Sequence, residues 1–490
     1  MGNDSHARLS GWSVSAASSA KVIARSQHNM PERIRLIQPP LVQPRYRQLT
    51  LPVVGALFAS QGLEVEACDE NVEDLDTSPV DLVGITCHVY NAPRAFELAR
   101  GFRQRGARVI IGGTFATTAP DLVAPHCDAV VAGELEDVVE EVVRDARGDQ
   151  LRGLYRASDA AAHKKPAPNA APDWSLLETS KYFRFNFPLE TSRGCRFACG
   201  FCTSGQLWPT PRTRPLADIE RDLQAYDHGQ VELVDVNFLN DADFFRSVLP
   251  VLKRAPIPGW LGQTTVADLE APDLPERFAD SRCRAVFVGL ESIDADALKS
   301  INKDWNRAER FKGVVKRYQD VGVLVQAGLI VGLDGQNAET FRRTLDFLDE
   351  CQVHAVSITY LHHNPGSPQF AKLQAAGRLH SEDWRDYDGT VPTIQPIGSS
   401  VAELERAVEE FLRQLYRPRS IWSRGVHRGT LRHPSQLAHH FMINLSLKTY
   451  YEESAADRRA RYGGRRGPEK RLEKWLADGA SALLERFWRP

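Results

Sequence analysis

Short apolar runs alternate with helix-spaced patterns twice along the chain, and that rhythm restricts the fold more than any single residue does. In the first part, residues 34–38, 64–68, 82–87, 109–112 and 129–132 read as strands. Between the third and fourth runs, Ala95, Leu98, Ala99 and Phe102 recur at steps of three and four, which puts them on one face of a helix. Strands separated by helices pair in parallel, and the helices then cover both faces of the sheet. Residues 32–147 are therefore predicted to form a doubly wound α/β domain. Pro39-Pro40 ends its first strand and opens a loop that reaches Thr50. Ligands of such sheets bind beyond the carboxyl ends of the strands, so residues 40–50, 86–91 and 112–118 are the loops of interest.

The rhythm resumes over residues 186–370, with strands expected at 188–191, 233–238, 260–264, 285–290, 323–331 and 355–361. Leu216, Ile219, Leu223 and Tyr226 mark one helix face, and Phe341, Leu345 and Leu348 another. Six such units predict a partial (β/α)6 barrel, whose chemistry sits at the carboxyl ends of its strands. Residues 148–185 read as a connector, Ala/Pro-rich over 160–172. Residues 371–490 read as mainly helical, with Leu404, Val408, Phe411 and Leu415 as an apolar stripe. Residues 1–31 are rich in Ser, Ala and Arg, lack the continuous apolar core of a signal peptide, and read as a mobile leader.

Charge and hydropathy exclude two function classes. Lys and Arg number 61 against 63 Asp and Glu, a net charge of −2, whereas a general nucleic-acid binder carries a strongly basic domain. No stretch approaches the roughly 18 apolar residues of a spanning helix. The most apolar one, residues 323–333, is broken by Gln326 and two glycines. Cys68, Cys87, Cys127, Cys283 and Cys351 are scattered singly, which is no disulfide framework. The expected location is the cytoplasm.

The remaining three cysteines lie together, in Thr191-Ser-Arg-Gly-Cys195-Arg-Phe-Ala-Cys199-Gly-Phe-Cys202, directly after the first barrel strand. Three thiolates on one loop can each hold one iron of a [4Fe–4S] cluster and leave the fourth iron open. The plainer alternative is a structural zinc completed by a distant His or Cys.

This loop resembles the signature of the radical S-adenosylmethionine (SAM) superfamily. The resemblance implies that Cys195, Cys199 and Cys202 hold the cluster, that its open iron binds SAM, and that the backbone of Phe201 contacts adenine. Asp235 and Asn237 resemble the polar segment that ends the second strand of the family's barrel. Gln263 ends the third, and Gly289-Leu-Glu291-Ser292 looks like the segment carrying a SAM contact. Phe201, Asp235, Asn237, Gln263, Glu291 and Ser292 are thus the expected SAM residues, with helix N-capping as the plain alternative for Asp235 and Glu291. The sixth strand ends in Tyr360-Leu-His362-His363-Asn364, where relatives have a different run. Tyr360, His362 and His363 are candidate catalytic groups at the barrel mouth, or solvated loop residues.

A doubly wound, Rossmann-like domain ahead of such a barrel resembles the cobalamin-binding subclass. Thr86, Gly112 and Gly113 are the expected contacts to the nucleotide tail of the corrin, because a turn without Cβ lets the backbone approach closely. The loop after the first strand lacks the histidine that ligates cobalt in other cobalamin proteins, and Arg45 or Tyr46 is expected there instead. The alternative is a vestigial domain that holds no corrin. The resemblance as a whole implies cleavage of SAM to a 5′-deoxyadenosyl radical and cobalamin-dependent methylation of an unactivated carbon. The substrate would be a small secondary metabolite or lipid precursor, and the reductant an external flavodoxin- or ferredoxin-type donor. A radical rearrangement, cyclisation or redox step, and a zinc-bearing scaffold that binds a partner, are the rival readings. Two basic stretches, Arg417, Arg419, Arg424, Arg428 and Arg432, and then Arg458 to Arg471, read as solvated surface, with an anionic substrate or partner as the alternative.

Overall fold

A computed structural model describes residues 33–42, 45–156, 171–183, 186–426, 434–453 and 455–463. The leader, the middle of the connector, Arg428, Arg432 and the basic stretch beyond residue 463 lie outside the described residues.

The first sheet comprises β1 Arg33–Gln38, β2 Glu64–Asp69, β3 Leu82–Thr86, β4 Arg108–Gly112, β5 Ala129–Ala132 and β6 Leu154–Arg156, in the order β2-β1-β3-β4-β5-β6. All its pairings are parallel. The order reverses between β1 and β3, which sets the ligand crevice there. Both faces are buried, as unbroken apolar strands require. Val83, Ile85, Val109 and Ile111 meet the helix Ala92–Gln104 through Ala95, Leu98, Ala99 and Phe102. Ile34, Leu36, Leu82 and Ile110 meet the helix Val139–Arg147 on the other face. β6 lies in the stretch read as connector; only Tyr155 of its three residues is buried, too little to show alternation in the sequence.

Next come β7 Asn186–Leu189, a short antiparallel pair β8 Ser192–Arg193 and β9 Arg212–Thr213, then β10 Gln230–Leu233, β11 Trp260–Thr264, β12 Cys283–Glu291, β13 Leu324–Val331 and β14 Ala355–Tyr360. The second large sheet runs β14-β13-β12-β11-β10-β7, all parallel, with β7 and β14 not paired to each other. This is the partial barrel. β10 ends earlier than its apolar run suggests, because Asp235 and Asn237 are drawn into loop contacts described below. Trp260 anchors the core beneath it, with Phe238, Phe245 and Phe278 at centroid distances of 5.6, 5.6 and 5.1 Å and edge-on geometry.

The carboxyl-terminal helices pack against this barrel. In the helix Val401–Leu415, the stripe Leu404, Val408, Phe411 and Leu415 is buried in the barrel core. Arg424 is not solvated surface. It is fully buried and donates to the carbonyls of Val353 (3.2 Å) and Leu415 (2.9 Å) and to Asn444 Oδ1 (3.2 Å). Its planar fork joins three segments that share no sequence neighbourhood. Arg424→Ala should strand these acceptors and lower stability by about 3 kcal/mol in chemical denaturation, and Arg424→Lys should not restore it. Arg458, Arg459 and Arg461 are likewise engaged, with Asp388, Asp386 and Glu453 respectively. Among the described residues no helix is long and apolar enough to cross a membrane.

Candidate functional site

The cysteine loop is closed at its neck by the pairing of Ser192 with Thr213 and of Arg193 with Arg212. Gly194 adopts φ +88°, and a Cβ there would lie 3.1 Å from Pro211 Cα, so only glycine fits. One flank is held by Asn240, which accepts from the Arg196 N–H (2.9 Å) and donates to the Gly194 carbonyl (2.5 Å). On the other flank the Gly200 N–H donates to Ile301 O (2.8 Å), and Asn302 Nδ2 to Ala198 O (2.6 Å). Phe197 stacks on Trp305 at 3.9 Å. Asn240, Asn302 and Trp305 escaped the sequence reading, because nothing local marks a residue that braces a loop across the fold.

All three thiols are free; Cys195 and Cys199 are half-buried and Cys202 is exposed. Cys202 lies within electrostatic reach of both others and strengthens their hold on protons. Burial raises Cys195, and it pushes Cys199 up to about 11 against the opposing pull of Lys303. The Asn237 side chain bonds Cys195; its Nδ2 also donates to Asp268 (2.9 Å), and its Oδ1 accepts from Thr264 Oγ1 (2.8 Å). Among the described residues no three His, Cys, Asp or Glu side chains converge on a single ion.

The other expected residues fall into two groups. Near the loop, Glu291 ends β12 in a left-handed conformation (φ +62°) at a register shift. It pairs with Lys303 Nζ at 2.6 Å, and Lys303 also donates to Gly289 O at 3.0 Å. Glu291 caps no helix; Asp294 caps the helix Ala295–Ser300. Ser292 accepts from the Asp294 N–H (3.0 Å). Phe201 packs on Ala297, Leu298, Ile301, Ile330 and Leu333. Gln263 is half-buried, and its side-chain amide has no protein partner among the described residues. Asp235 is different. Its carboxylate accepts from the Thr191 N–H (2.8 Å), Thr191 Oγ1 (2.6 Å) and Ser192 Oγ (2.5 Å), so it holds the turn that enters the cysteine loop. Burial lifts it to about 6. It caps no helix either, since Asp241 caps the helix Ala242–Arg254.

At the crevice of the first domain, Thr86 ends β3 and Gly112 ends β4. Gly113 adopts φ +101°, and a Cβ there would meet Cys87 N at 2.8 Å and Thr86 Oγ1 at 3.0 Å. The Thr86 hydroxyl has no protein partner among the described residues. Beside them His88 Nδ1 lies 2.9 Å from Thr114 Oγ1, and its ring stacks on Tyr90. Arg45 and Tyr46 point elsewhere. Arg45 donates to Lys181 O at 3.2 Å and covers the Phe183 ring. Tyr46 packs edge-on against Phe183, half-buried, with Glu232 of β10 in electrostatic reach. Arg47, which the sequence did not single out, donates to Asn186 O on β7 (2.8 and 3.1 Å) and to Asp227 (2.9 Å).

Tyr360, the last residue of β14, packs on the barrel core beside Gly332. His362 Nδ1 lies 3.2 Å from Tyr360 O and next to Asp388, with His363 beside it. The loop meets the first domain at Gly366, where a Cβ would touch Ala119 at 2.7 Å. Burial pushes His88 and His363 down to about 4. Both are neutral when folded and protonate near 6.5 when unfolded, so the native state binds fewer protons in between. Stability should fall as pH drops from 6.5 towards 4, by about 1.4 kcal/mol per pH unit for each imidazole. Urea unfolding near neutrality and near pH 5 measures this, and His88→Gln should flatten the slope.

The sequence matches the radical SAM superfamily over residues 189–348 and the B12 binding domain over residues 43–143. It is 26% identical over 390 residues to bacteriochlorophyllide d C-12(1)-methyltransferase of Chlorobaculum tepidum, covering 76% of this chain and 83% of that protein. It is 26% identical over 419 residues to hopanoid C-2 methylase of Rhodopseudomonas palustris, covering 83% and 76%. In fold it resembles the radical SAM methyltransferase TsrM of Kitasatospora setae, with cobalamin and a [4Fe–4S] cluster bound (TM-score 0.60, 17% identity, 77% of this chain and 82% of that one). It also resembles the cobalamin-dependent SAM radical enzyme OxsB (TM-score 0.63, 14% identity, 94% and 80%).

The residues present fit the groups these matches imply. Three unbridged thiols on a braced loop suit an iron–sulfur cluster, and the amide of Gln263, near the carboxyl end of β11, suits a polar ligand such as SAM. A crevice floored by Gly112, Gly113 and an unpartnered Thr86 hydroxyl suits a nucleotide tail. The chain carries a radical SAM domain and, ahead of it, a B12-binding domain.

Proposed function

We propose that this protein is a cytoplasmic enzyme that methylates an unactivated carbon of a small molecule, with a [4Fe–4S] cluster, SAM and cobalamin as cofactors. When bound, the cluster supplies the electron that cleaves SAM to a 5′-deoxyadenosyl radical, and cobalamin supplies methyl-transfer chemistry. The observation that carries the reading is the direct join between the cysteine loop and the first domain: Arg193, two residues before Cys195, bonds Glu134 just beyond β5 at 3.0 Å.

Cys195, Cys199 and Cys202 would hold the cluster. Asn237 and Lys303 set the polarity around two of these sulfurs, and Asp235 fixes the turn that delivers the loop. Phe201, Gln263, Glu291 and Ser292 would line the SAM site, Glu291 being oriented by Lys303. Thr86, Gly112 and Gly113 would receive the nucleotide tail of the corrin. His362 and His363, both neutral at physiological pH, would face substrate where the barrel mouth meets the first domain. Packing at Gly366 keeps that junction tight, which favours exclusion of water from a reactive intermediate.

The methyltransferase relatives act on a chlorophyll-type macrocycle and on a hopanoid, which supports a secondary metabolite or lipid precursor as substrate. An external flavodoxin- or ferredoxin-type donor would deliver the electron. The test is anaerobic reconstitution with hydroxocobalamin, then incubation with SAM, reductant and candidate substrates of these classes. Formation of S-adenosylhomocysteine together with 5′-deoxyadenosine is expected. Sustained 5′-deoxyadenosine with no S-adenosylhomocysteine would replace methylation by another radical step.

A further inference from the structure

Glu134 lies at the centre of a buried ion network that joins the two halves of the molecule. Its carboxylate receives Arg212 end-on through two bonds (2.6 and 3.0 Å) and Arg193 through one (3.0 Å). Arg193 also reaches Glu136 at 2.8 Å and Glu190 at 2.9 Å, so its three nitrogens each hold a carboxylate. The side chains of Glu134 and Arg212 are each 5% exposed. Arg193 and Arg212 are themselves paired across β8 and β9, the neck of the cysteine loop.

On the other side the contacts run without a break to the glycine turn. Glu134 follows Gly133, which is left-handed (φ +100°) and donates its N–H to Thr117 Oγ1 at 3.0 Å. Thr117 Oγ1 in turn donates to Gly113 O at 2.9 Å. The path is Gly113, Thr117, Gly133, Glu134, Arg193, Cys195, and every link is a hydrogen bond or one to two peptide units. Bidentate guanidinium–carboxylate bonds are directional, so the network has one good arrangement rather than a range. A buried ion pair is weak as a source of stability but strong as a fixer of geometry, and three acids around one arginine specify the position of the loop neck.

We propose that Glu134 is a positioning residue that couples the corrin crevice to the cysteine loop, so that filling either one raises the affinity of the other. The inference rests on the reading that this protein holds both groups. Order imposed at Gly113 is passed along a path that ends two residues from Cys195, and order imposed on the loop returns by the same path. The coupling must be equal in both directions.

The experiment titrates hydroxocobalamin, by absorbance under anaerobic conditions, into full-length protein with the cluster reconstituted and into protein stripped of iron. In the wild type the corrin should bind at least about fivefold tighter when the cluster is present, the lower end of ordinary coupling. In Glu134→Gln, which keeps the shape and removes the charge, that ratio should fall to near one while both forms still bind corrin. Arg212→Gln, which spares the bonds to Arg193, should lower the ratio part of the way and serves if Glu134→Gln does not fold. A wild-type ratio of one, or an undiminished ratio in the variants, overturns the proposal. A wild type that takes up neither iron nor corrin overturns the functional reading instead.

Discussion

Cys199→Ala is expected to reduce iron from about four per chain to background after anaerobic reconstitution, because a cluster held by three protein thiolates is not retained by two. The brown charge-transfer absorbance should vanish with the iron, and no 5′-deoxyadenosine should form from SAM. Cys195→Ala and Cys202→Ala should behave alike. Cys283 and Cys351 provide the contrast. Both are only 4% exposed and packed in the barrel core, so alanine there should cost stability and leave the iron content unchanged. Iron retained in Cys199→Ala, as measured by metal analysis, would refute the assignment of the loop.

The second large effect is expected at Gly113, and its neighbour Gly112 should behave differently. Gly113 adopts φ +101° and ψ −172°, a region that residues with a Cβ avoid at a cost of order 1–3 kcal/mol. A Cβ would also meet Cys87 N at 2.8 Å and Cys87 O at 2.9 Å. Neither atom can give way, since the Cys87 N–H donates to Gly112 O and Cys87 O accepts from the Phe115 N–H. Gly113→Ala should therefore force β3 and β4 apart, lower the melting temperature and reduce hydroxocobalamin affinity at least tenfold. At Gly112 the nearest atom to an added Cβ is 3.8 Å away, so Gly112→Ala should fold normally. If the tail runs over this turn, Gly112→Ala will still lose corrin affinity at unchanged melting temperature. Equal corrin affinity in both variants and the wild type would remove this turn from the site.

Much of the site was legible along the chain, and the remainder shares one character. The cysteine spacing, the glycine turn and the helix stripes such as Leu404, Val408, Phe411 and Leu415 are local patterns, each complete within a few turns of chain. Asp235 stood in a segment that reads as a cofactor contact, yet its acceptors are spent on Thr191 and Ser192. Tyr360 reads with the two histidines, yet its ring packs on the barrel core beside Gly332, where Leu404 of the carboxyl-terminal helix also reaches. Arg45 and Tyr46 stand in a loop that would face the crevice, but Arg45 meets Lys181 and Phe183 of the connector, and Tyr46 meets Phe183 and Glu232 of β10. Arg458, Arg459 and Arg461 read as solvent-facing until their acids arrive from other segments.

The alternation of strands and helices, the apolar helix faces, the cysteine loop and the glycine turn were determined by the chain alone, because alternation, helical spacing and a missing Cβ are properties of neighbouring residues. Only the tertiary structure decided where the charges go. Arg47 finds Asp227 across 180 residues, Arg193 finds Glu134 across 59, and Arg424 finds Asn444 from a different helix. A buried ion needs a partner wherever the fold can bring one, and distance along the chain leaves no trace of which partner that is.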